Sequence, residues 1–491
     1  MAETTAAAGA PPTWKARLFQ AGGFACVTAA VLAGMASETV LLAEFAVLAA
    51  VLALPFLPAA ALAFYAAVLG MREPVNYMPL KLAGVSVYAG DLVLALFLGA
   101  VLYVFLDNIS GRRTGLPLEG RAEKLLAVIL AASLAWGLLS AATGLARGWE
   151  ARDVLGDYRR LYAYMLGFLA ALWLCPKDRH LRMLKWVFFA GAAGAVLFGL
   201  YRMGTGRYFH STAEHAEYPR LLADDEIVSL SLALSYAAAV AVFERGAARR
   251  AAALGLGALC MAFMLMSGWR MGFLHALMAP AFALWFMSRM RRVSLGRLAA
   301  RAVVAVMLVC AVMGGVLLVF SGTTRLIWTR MDERMYHFGV PFLDDVDYRP
   351  YAYKTALLHF AEHPVLGMGI GHQMTFAKKT SEGVFEYYSH TTHNIFLDTL
   401  YQTGLPGLLL FAGFLWVVAR RAHKSFARLP DEWHALMAAA LSGLFCALIH
   451  QTYEISAVSG MVSLYLLCGF IMLICRRAAP PAETAPDGDG A

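Results

Sequence analysis

Residues 363–410 read HPVLGMGIGHQMTFAKKTSEGVFEYYSHTTHNIFLDTLYQTGLPGLLL. A glycine-rich turn, GMGIG at residues 367–371, leads to two histidines, His390 and His393. A long apolar helix is predicted to follow, and GLPG at residues 404–407 breaks it early. Polar, titratable side chains beside a membrane-spanning helix are costly unless they have a use. We therefore predict the functional site in this stretch.

The composition is that of a membrane protein. Hydrophobic residues make up 60% of the 491 residues, charged residues make up 15%, and the mean hydropathy is +0.61. Soluble domains carry about 25% charged residues. Apolar runs of nearly the ~20 residues that span a bilayer fill most of the chain, and in lipid they must be helical. We predict an all-α fold, a single polytopic membrane domain over residues 1–491 with about 12–14 transmembrane helices.

The predicted spans begin near Ala21, Val40, Pro58, Val87, Leu125, Arg160, Leu181, Ile227, Ala251, Met271, Ala302, Ile395, Ala435 and Ile455. The second and third are separated only by Pro55 and Pro58, so a re-entrant pair would lower the count by two. The loop at residues 147–160 mixes arginines with acids, which leaves the number of spans before Leu181 open.

Cysteine usage argues against a metal site built from cysteines, and charge usage argues against a nucleic-acid partner. All seven cysteines lie inside or at the ends of apolar runs and none forms a CxxC pair, so they are predicted to be packing residues. The net charge is +8, but the cations collect in a few short loops. Such loops indicate topology, and a nucleic-acid partner is not expected.

Cationic loops set the predicted orientation. Four of them fall on one side, which is then cytoplasmic: Lys177/Arg179/Arg182, Arg245/Arg249/Arg250, Arg289/Arg291/Arg292/Arg297 and Arg420/Arg421/Lys424/Arg428. Both termini are predicted to be cytoplasmic, and residues 478–491 are predicted to form a disordered tail. The loop at residues 321–394 then faces away from the cytoplasm, which is the periplasm in a two-membrane bacterium.

This long loop is the segment in which we expect the chemistry, because long loops without a fold of their own are usually functional. It contains two stretches with helical spacing of apolar residues, at 323–338 and 348–364, which are predicted to be short interfacial helices. Arg349, at the start of the second stretch, is a candidate substrate-binding residue.

His393 is the candidate catalytic base. It lies at the external mouth of the helix predicted from Ile395, where free N–H groups and a positive dipole end collect. A neutral imidazole there can accept a proton from a hydroxyl, an effect worth about 100-fold to 10,000-fold. The alternative is that His393 and Asn394 only cap the helix. His390 is predicted to support the site or lie on the surface, and a zinc pair is disfavoured because a third ligand at a suitable nearby spacing is lacking.

Arginines are the candidate anion-binding groups. Arg270, in MSGWRMGF, lies at a tight external turn, where it can bind a lipid phosphate through its two-pronged guanidinium or extend to lipid headgroups. Arg220 precedes an acidic run at residues 224–226 that can hold it as a surface ion pair. Arg202 and Arg207 are rival candidates in that loop. The GMGIG run lacks the strand and lysine of a phosphate loop and is predicted to be a sharp turn.

Taken together, HPVLGMGIGHQ followed by SHTTHNIFLDTLYQTGLPGLLLF resembles the O-antigen ligase and O-antigen polymerase superfamily of bacterial envelope glycosyltransferases. The stretch MSGWRMGFLHAL is similar to that family's arginine-bearing turn, and PRLLADDEIVSLSLA is similar to the polymerase-type pattern. The resemblance implies that a glycan leaves an undecaprenyl-diphosphate carrier at the periplasmic face of the inner membrane, without a metal, cofactor or nucleotide sugar. It implies that His393 is the base and that Arg270 and Arg220 hold the diphosphate. Arg207, His390, Asn394 and Arg349 are then the predicted substrate-binding residues.

Three functions follow from the sequence, in order of preference, and a related branch that glycosylates proteins also stays open. The first is a glycan polymerase, because about fourteen spans and the acid pattern at residues 225–226 suit that branch. The second is a ligase that attaches the glycan to lipid A core. The third is a transporter or flippase in which the arginines bind the anionic lipid and the histidine relays protons, although we see no internal repeat of the kind that transporters carry.

Overall fold

The computed structural model describes residues 80–82, 85–87, 89–109, 118, 120–174, 178–205, 221–222, 224–244, 246–267, 270–290, 307–316, 319, 349–379, 385–389, 391–453 and 459–478. In chain order its elements are β1 (Leu80–Leu82), β2 (Val85–Val87), α1 (Ala89–Ile109), α2 (Arg121–Ala146), α3 (Ala151–Leu161), a 3₁₀ turn (Ala163–Met165), α4 (Leu166–Leu174), α5 (Asp178–Thr205), α6 (Asp224–Phe243), α7 (Ala247–Met266), α8 (Arg270–Met290), α9 (Met307–Val316), α10 (Arg349–Glu362), β3 (Thr375–Lys379), β4 (Phe385–Ser389), α11 (Ile395–Phe426), α12 (Asp431–Tyr453) and α13 (Ser459–Cys475).

Helices dominate, and the prediction of an all-α polytopic membrane protein is confirmed. Within the ranges given above, six helices are long and apolar enough to cross a membrane: α2, α5, α7, α8, α11 and α12. Shorter apolar segments lie in α1, α6, α9 and α13. The predicted spans near Ala21, Val40 and Pro58 and the tail after residue 478 lie outside the described residues.

The α2 helix shows how the sequence produces a membrane-facing fold. Its buried residues recur every three or four positions, which places them on a single stripe: Glu123, Leu126, Leu130, Ser133, Gly137, Ser140 and Gly144. Large apolar side chains such as Leu125, Val128 and Leu138 are exposed on the other face. A soluble helix would carry polar residues there, so this face is suited to lipid.

One prediction about the chain before α5 was wrong, and one element in the loop before α11 was not predicted. The span predicted from Arg160 is wrong in its start, because Arg160 belongs to the short helix α3 and the apolar helix α4 begins at Leu166. Arg160 and Asp157 on α3 are buried and paired with each other, which the hydropathy pattern does not show. The loop before α11 also contains an antiparallel hairpin that was not predicted, with Thr375 opposite Ser389.

The predicted helix in that loop is present as α10, and it ends at Glu362, just before Pro364. The other predicted interfacial helix, at residues 323–338, lies outside the described residues. The α10 helix packs on α11 and β3. It therefore joins the membrane-spanning helix to the hairpin.

The α11 helix is the longest described helix and carries a kink. Its 32 residues correspond to ~48 Å at 1.5 Å per residue, more than the ~30 Å hydrocarbon core. Gly404 has φ 71° and ψ −175°, and Pro406 lacks an N–H for the helical ladder. The break predicted from GLPG is therefore present.

Helix packing relates the starts of α8 and α11, which carry Arg270 and follow His393. The short turn between α11 and α12 makes these helices antiparallel, so the start of α11 and the end of α12 share a face. His450 near the end of α12 contacts the ring of His275 on α8 at 5.4 Å between centroids. The first turns of α8 and α11 therefore lie at the same end.

The opposite end is held by charged pairs. Arg476 donates to both carboxylate oxygens of Glu123 at 2.8 and 2.7 Å. Arg477 pairs with Asp178. The basic turn that joins α11 to α12 and the Glu244–Arg249 pair lie at this same end. This agrees with the grouping of cationic loops on one side.

Candidate active site at the mouth of α11

Asn394 determines where α11 begins. Its backbone is extended, and its Oδ1 accepts hydrogen bonds from the backbone N–H groups of Phe396 at 3.0 Å and Leu397 at 3.3 Å. This is the usual role of an asparagine before a helix. The oxygen of Asn394 is thereby committed to the cap, and any contact with substrate falls to its amide nitrogen.

His393 has an unusual backbone conformation. Its φ is +55°, and no other non-glycine residue within the described ranges has a positive φ. The left-handed region costs an ordinary residue about 1–3 kcal/mol, and such strain persists only where neighbouring contacts impose it. The side chain is half-buried. The candidate base therefore occupies a constrained position at the positive end of α11.

Asp398 supplies one of those contacts. Its Oδ1 accepts from the backbone N–H of Thr392 at 2.9 Å and from the Thr392 hydroxyl at 2.6 Å. The same hydroxyl oxygen accepts from the backbone N–H of Asn394 at 3.1 Å. The residues on both sides of His393 are thus bonded to the first turn of α11 and to each other.

Arg160 on α3 completes a buried charge cluster. Its Nη2 lies 3.0 Å from Asp157 Oδ1 and 3.4 Å from Asp398 Oδ2. Gln402 Nε2 donates to Asp157 Oδ2 at 3.0 Å. Asp398 is fully buried, and the Arg160 and Asp157 side chains are only 10% and 12% exposed. Buried charges are costly unless they are paired, so these groups depend on one another.

The GMGIG turn is hydrogen-bonded to α11 just before its kink. Its backbone N–H groups donate to carbonyls on two helices, from Met368 to Tyr401 at 2.8 Å, from Gly369 to Gln402 at 3.0 Å and from Ile370 to Ser140 at 3.1 Å. Gly367 has φ +65°, and a Cβ there would overlap the backbone of Gln402. The predicted sharp turn is present, and these amides serve the fold rather than a phosphate.

His372 follows this turn and lies among aromatic rings. Its ring centroid is 4.7 Å from that of Trp149, 5.0 Å from that of His359 and 6.0 Å from that of Tyr401. Burial, together with nearby His359 and Arg147, lowers the pKa of His372 to about 4. The ring is therefore neutral near pH 7 and packs as an aromatic group.

The second predicted region, around residues 220–226, contains a different ion pair from the one expected. Glu226 accepts from Arg202 Nη1 at 2.6 Å and from Nη2 at 2.9 Å, and both side chains are fully buried. Arg202 also donates to the Leu221 carbonyl at 2.7 Å. Arg202 is thus held within the fold, and the rival anion-binding role considered for it is not supported.

The structure describes only some of the remaining predicted residues. Arg270 is the first residue of α8, but its side chain lies outside the described part of the chain. Arg207, Arg220 and His390 also lie outside it. Arg349 is the first residue of α10, which packs on α11.

Arg270 and His393 stand on different groups of helices. The α8 helix packs on α6, α7 and α12, whereas α11 packs on α2, α10 and α13. The backbone N–H of Leu221 donates to the Ser267 carbonyl at 3.3 Å, which fixes the start of α6 beside the turn that leads into α8. The two groups are joined because α12 packs on both α11 and α13.

Sequence reasoning missed the groups that surround His393. Asp398 and Gln402 lie five and nine positions after it, on the same apolar helix. Ionisable residues inside an apolar helix are a signal of buried pairing, and Asp398 could have been selected on that ground. Its partner Arg160 is 238 positions away, and no local pattern connects the two.

Comparison with known proteins bears on this region. Residues 250–412 match the family model described as O-antigen ligase, which is about a third of the 491 residues. A search of curated proteins gave no match. The matched range contains Arg270, Arg349, His393 and Asp398. Over residues 250–412 the chain is therefore similar to the O-antigen ligase family, in agreement with the superfamily that its sequence resembles.

Proposed function

We propose that this protein is a membrane glycosyltransferase that moves a glycan from an undecaprenyl-diphosphate carrier onto an acceptor hydroxyl. The observation that carries the proposal is the family match over residues 250–412, which includes both Arg270 and the segment from His393 to Gly407. The apolar helices suit a lipid-linked donor. We place the reaction at the periplasmic face of a bacterial inner membrane, with both termini cytoplasmic, because the cationic loops lie at the opposite end from His393.

In the proposed reaction, His393 accepts the proton of the acceptor hydroxyl. The hydroxyl oxygen forms a bond to the anomeric carbon, and the bond from that carbon to the carrier diphosphate breaks. The diphosphate leaves with its negative charge, which Arg270 and Arg220 stabilise. A single displacement of this kind inverts the anomeric centre. The proposal assigns no metal or cofactor to these steps.

The remaining predicted residues have supporting roles in this proposal. Arg207 and Arg349 attract the anionic carrier, and His390 and the amide nitrogen of Asn394 bind the glycan. We assign the role of base to His393, which immediately precedes the cap residue Asn394 at the start of α11. The partners are then the carrier-linked oligosaccharide, the acceptor and the lipid bilayer.

The acceptor separates a polymerase from a ligase. We propose a polymerase, in which the acceptor is another carrier-linked glycan, because the predicted number of spans suits that branch. The description of the matched family favours the second candidate, a ligase that transfers the glycan to lipid A core. Both share the residues and steps given above.

The test uses the purified full-length protein in detergent with an undecaprenyl-diphosphate-linked oligosaccharide, alone and then with lipid A core. Products are separated by size. A ladder with the donor alone establishes a polymerase, and a single shifted core band in the second mixture establishes a ligase. If the folded protein gives neither product, the enzyme proposal fails, and labelling of His393 from alternating sides of the membrane would then support a transporter.

A further inference from the structure

We propose that Thr392 and Asp398 are positioning residues for His393. Asp398, itself held by Arg160, clamps Thr392 and so keeps the histidine in its left-handed conformation at the mouth of α11. The catalytic consequence rests on the proposed function, since it takes His393 as the base. The conformational clamp can be tested separately.

Both neighbours of His393 are anchored by hydrogen bonds. Thr392 is bonded to Asp398 Oδ1 through both its backbone N–H and its hydroxyl. Asn394 is fixed by its bonds to Phe396 and Leu397. Both neighbours are thus anchored to one helical turn, and the dihedral angles of His393 must join these two fixed residues.

The hydroxyl of Thr392 links Asp398 to Asn394. It donates to Asp398 at 2.6 Å, a short bond of the kind that charged acceptors make, and its oxygen accepts from Asn394 N at 3.1 Å. Removing the hydroxyl breaks both links at once. Thr392 therefore connects the residues on both sides of His393 through its hydroxyl.

Both oxygens of the Asp398 carboxylate have partners. Oδ1 serves Thr392, while Oδ2 faces Arg160 Nη2 at 3.4 Å. Arg160 is held in turn by Asp157, which accepts from Gln402 one turn further along α11. The carboxylate is thus held through both oxygens. Through Arg160, α3 therefore contributes to the geometry around His393.

The expected consequence is a loss of turnover rather than of donor binding. A misplacement of about 1 Å at a reacting group can lower the rate about 100-fold. Thr392→Val keeps the shape of the side chain and removes the hydroxyl, so we expect kcat to fall about 10-fold to 100-fold, with KM for the carrier-linked donor changed less than about twofold. Thr392→Ser restores the hydroxyl and should recover kcat to within about threefold of the wild type.

The matched control is Thr143→Val. The Thr143 hydroxyl donates to the Leu139 carbonyl of its own helix at 2.9 Å, far along the chain from His393. This variant removes the same group from a threonine at the surface of α2. Its kcat should equal that of the wild type.

A second readout does not depend on turnover. The rate at which diethyl pyrocarbonate modifies His393 is followed in the full-length protein by peptide mass spectrometry, because this rate reports the environment of the ring. We expect Thr392→Val to change it, whereas Thr392→Ser and Thr143→Val should leave it as in the wild type.

The two readouts separate the clamp from the proposed function. A changed labelling rate in Thr392→Val, combined with a wild type that transfers no glycan, would overturn the proposed function and retain the clamp. A wild type that transfers glycan, with kcat and labelling both unchanged in Thr392→Val, would overturn the clamp. A raised KM with unchanged kcat would also overturn it, because Thr392 would then act in donor binding.

Discussion

The backbone N–H of Leu405 donates to the carbonyl of Pro364 at 2.9 Å, so the kink of α11 is closed by the loop that precedes the site. Gly404, one position earlier, has φ +71°. A Cβ at this position would overlap the Val365 carbonyl oxygen. The glycine-rich turn and the broken helix are therefore one packed unit.

Replacing Gly404 with alanine should destabilise this unit. The substitution forces a side chain into the left-handed region and against the Val365 backbone, which costs roughly 2 kcal/mol or more. Thermal unfolding in detergent should therefore begin at a lower temperature. Gly413→Ala is the matched control, since a Cβ there meets nothing within 4 Å. Equal unfolding temperatures for the two variants would contradict the packing described.

The buried pair of Arg202 and Glu226 is expected to be structural. Breaking such a pair costs about 3–5 kcal/mol, whereas replacing both partners with apolar residues is often neutral. Arg202→Met alone should lower the unfolding temperature strongly, and Arg202→Met combined with Glu226→Leu should recover most of the loss. The double variant should transfer glycan at nearly the wild-type rate. A well-folded but inactive double variant would instead place Arg202 or Glu226 in the catalytic machinery.

Arg270 is expected to require its guanidinium. Lysine keeps the positive charge but cannot form the two parallel bonds that a guanidinium makes with a diphosphate. Arg270→Lys should therefore lower kcat/KM for the carrier-linked donor by about 10-fold or more. The control is Arg249→Lys, whose side chain is 81% exposed at the opposite end of the adjacent helix. Wild-type kinetics in Arg270→Lys would rule out the two-pronged contact.

His372 should make stability depend on pH. Its pKa is lowered to about 4 in the folded protein, against about 6.5 for an unperturbed histidine. Between these values the unfolded chain binds a proton that the folded chain does not, so stability falls as the pH decreases from about 6.5 toward 4. His372→Phe removes this proton and keeps an aromatic ring beside Trp149.

The measurement is the unfolding temperature at pH 7 and pH 5. The decrease between these pH values should be smaller in His372→Phe than in the wild type. His423→Gln, at an exposed position near the end of α11, controls for the loss of one histidine. An identical decrease in the wild type and in His372→Phe would show that His372 is not shielded from protons in the folded state.

Hydropathy and spacing were sufficient to predict the polytopic fold because each span is a local property. The starts predicted near Leu125, Leu181, Ala251 and Ile395 agree with α2, α5, α7 and α11 to within about four residues. The same local character explains why the GLPG break and the cap at Asn394 could be recognised.

The contacts around His393 were not predictable in this way. The Arg160–Asp398 pair joins α3 to α11, and only the folded chain brings these helices together. The loop at residues 147–160 mixes four arginines with three acids, and its sequence gives no sign that any of them is buried. Its Asp157 and Arg160 are instead buried against α11, where they neutralise one another. The start predicted near Arg160 was wrong because the apolar residues that follow it first form the end of α3 and a 3₁₀ turn, so that α4 begins only at Leu166.

The measurement that tests the central claim most directly is glycan transfer by wild type and His393→Ala, assayed side by side at equal concentration. The reaction contains purified protein and the carrier-linked oligosaccharide, with and without lipid A core. We expect a glycan product from the wild type and at least about a 100-fold lower initial rate from the variant, with matching thermal unfolding. A variant that folds normally and forms product at the wild-type rate would contradict the assignment of His393 as the base.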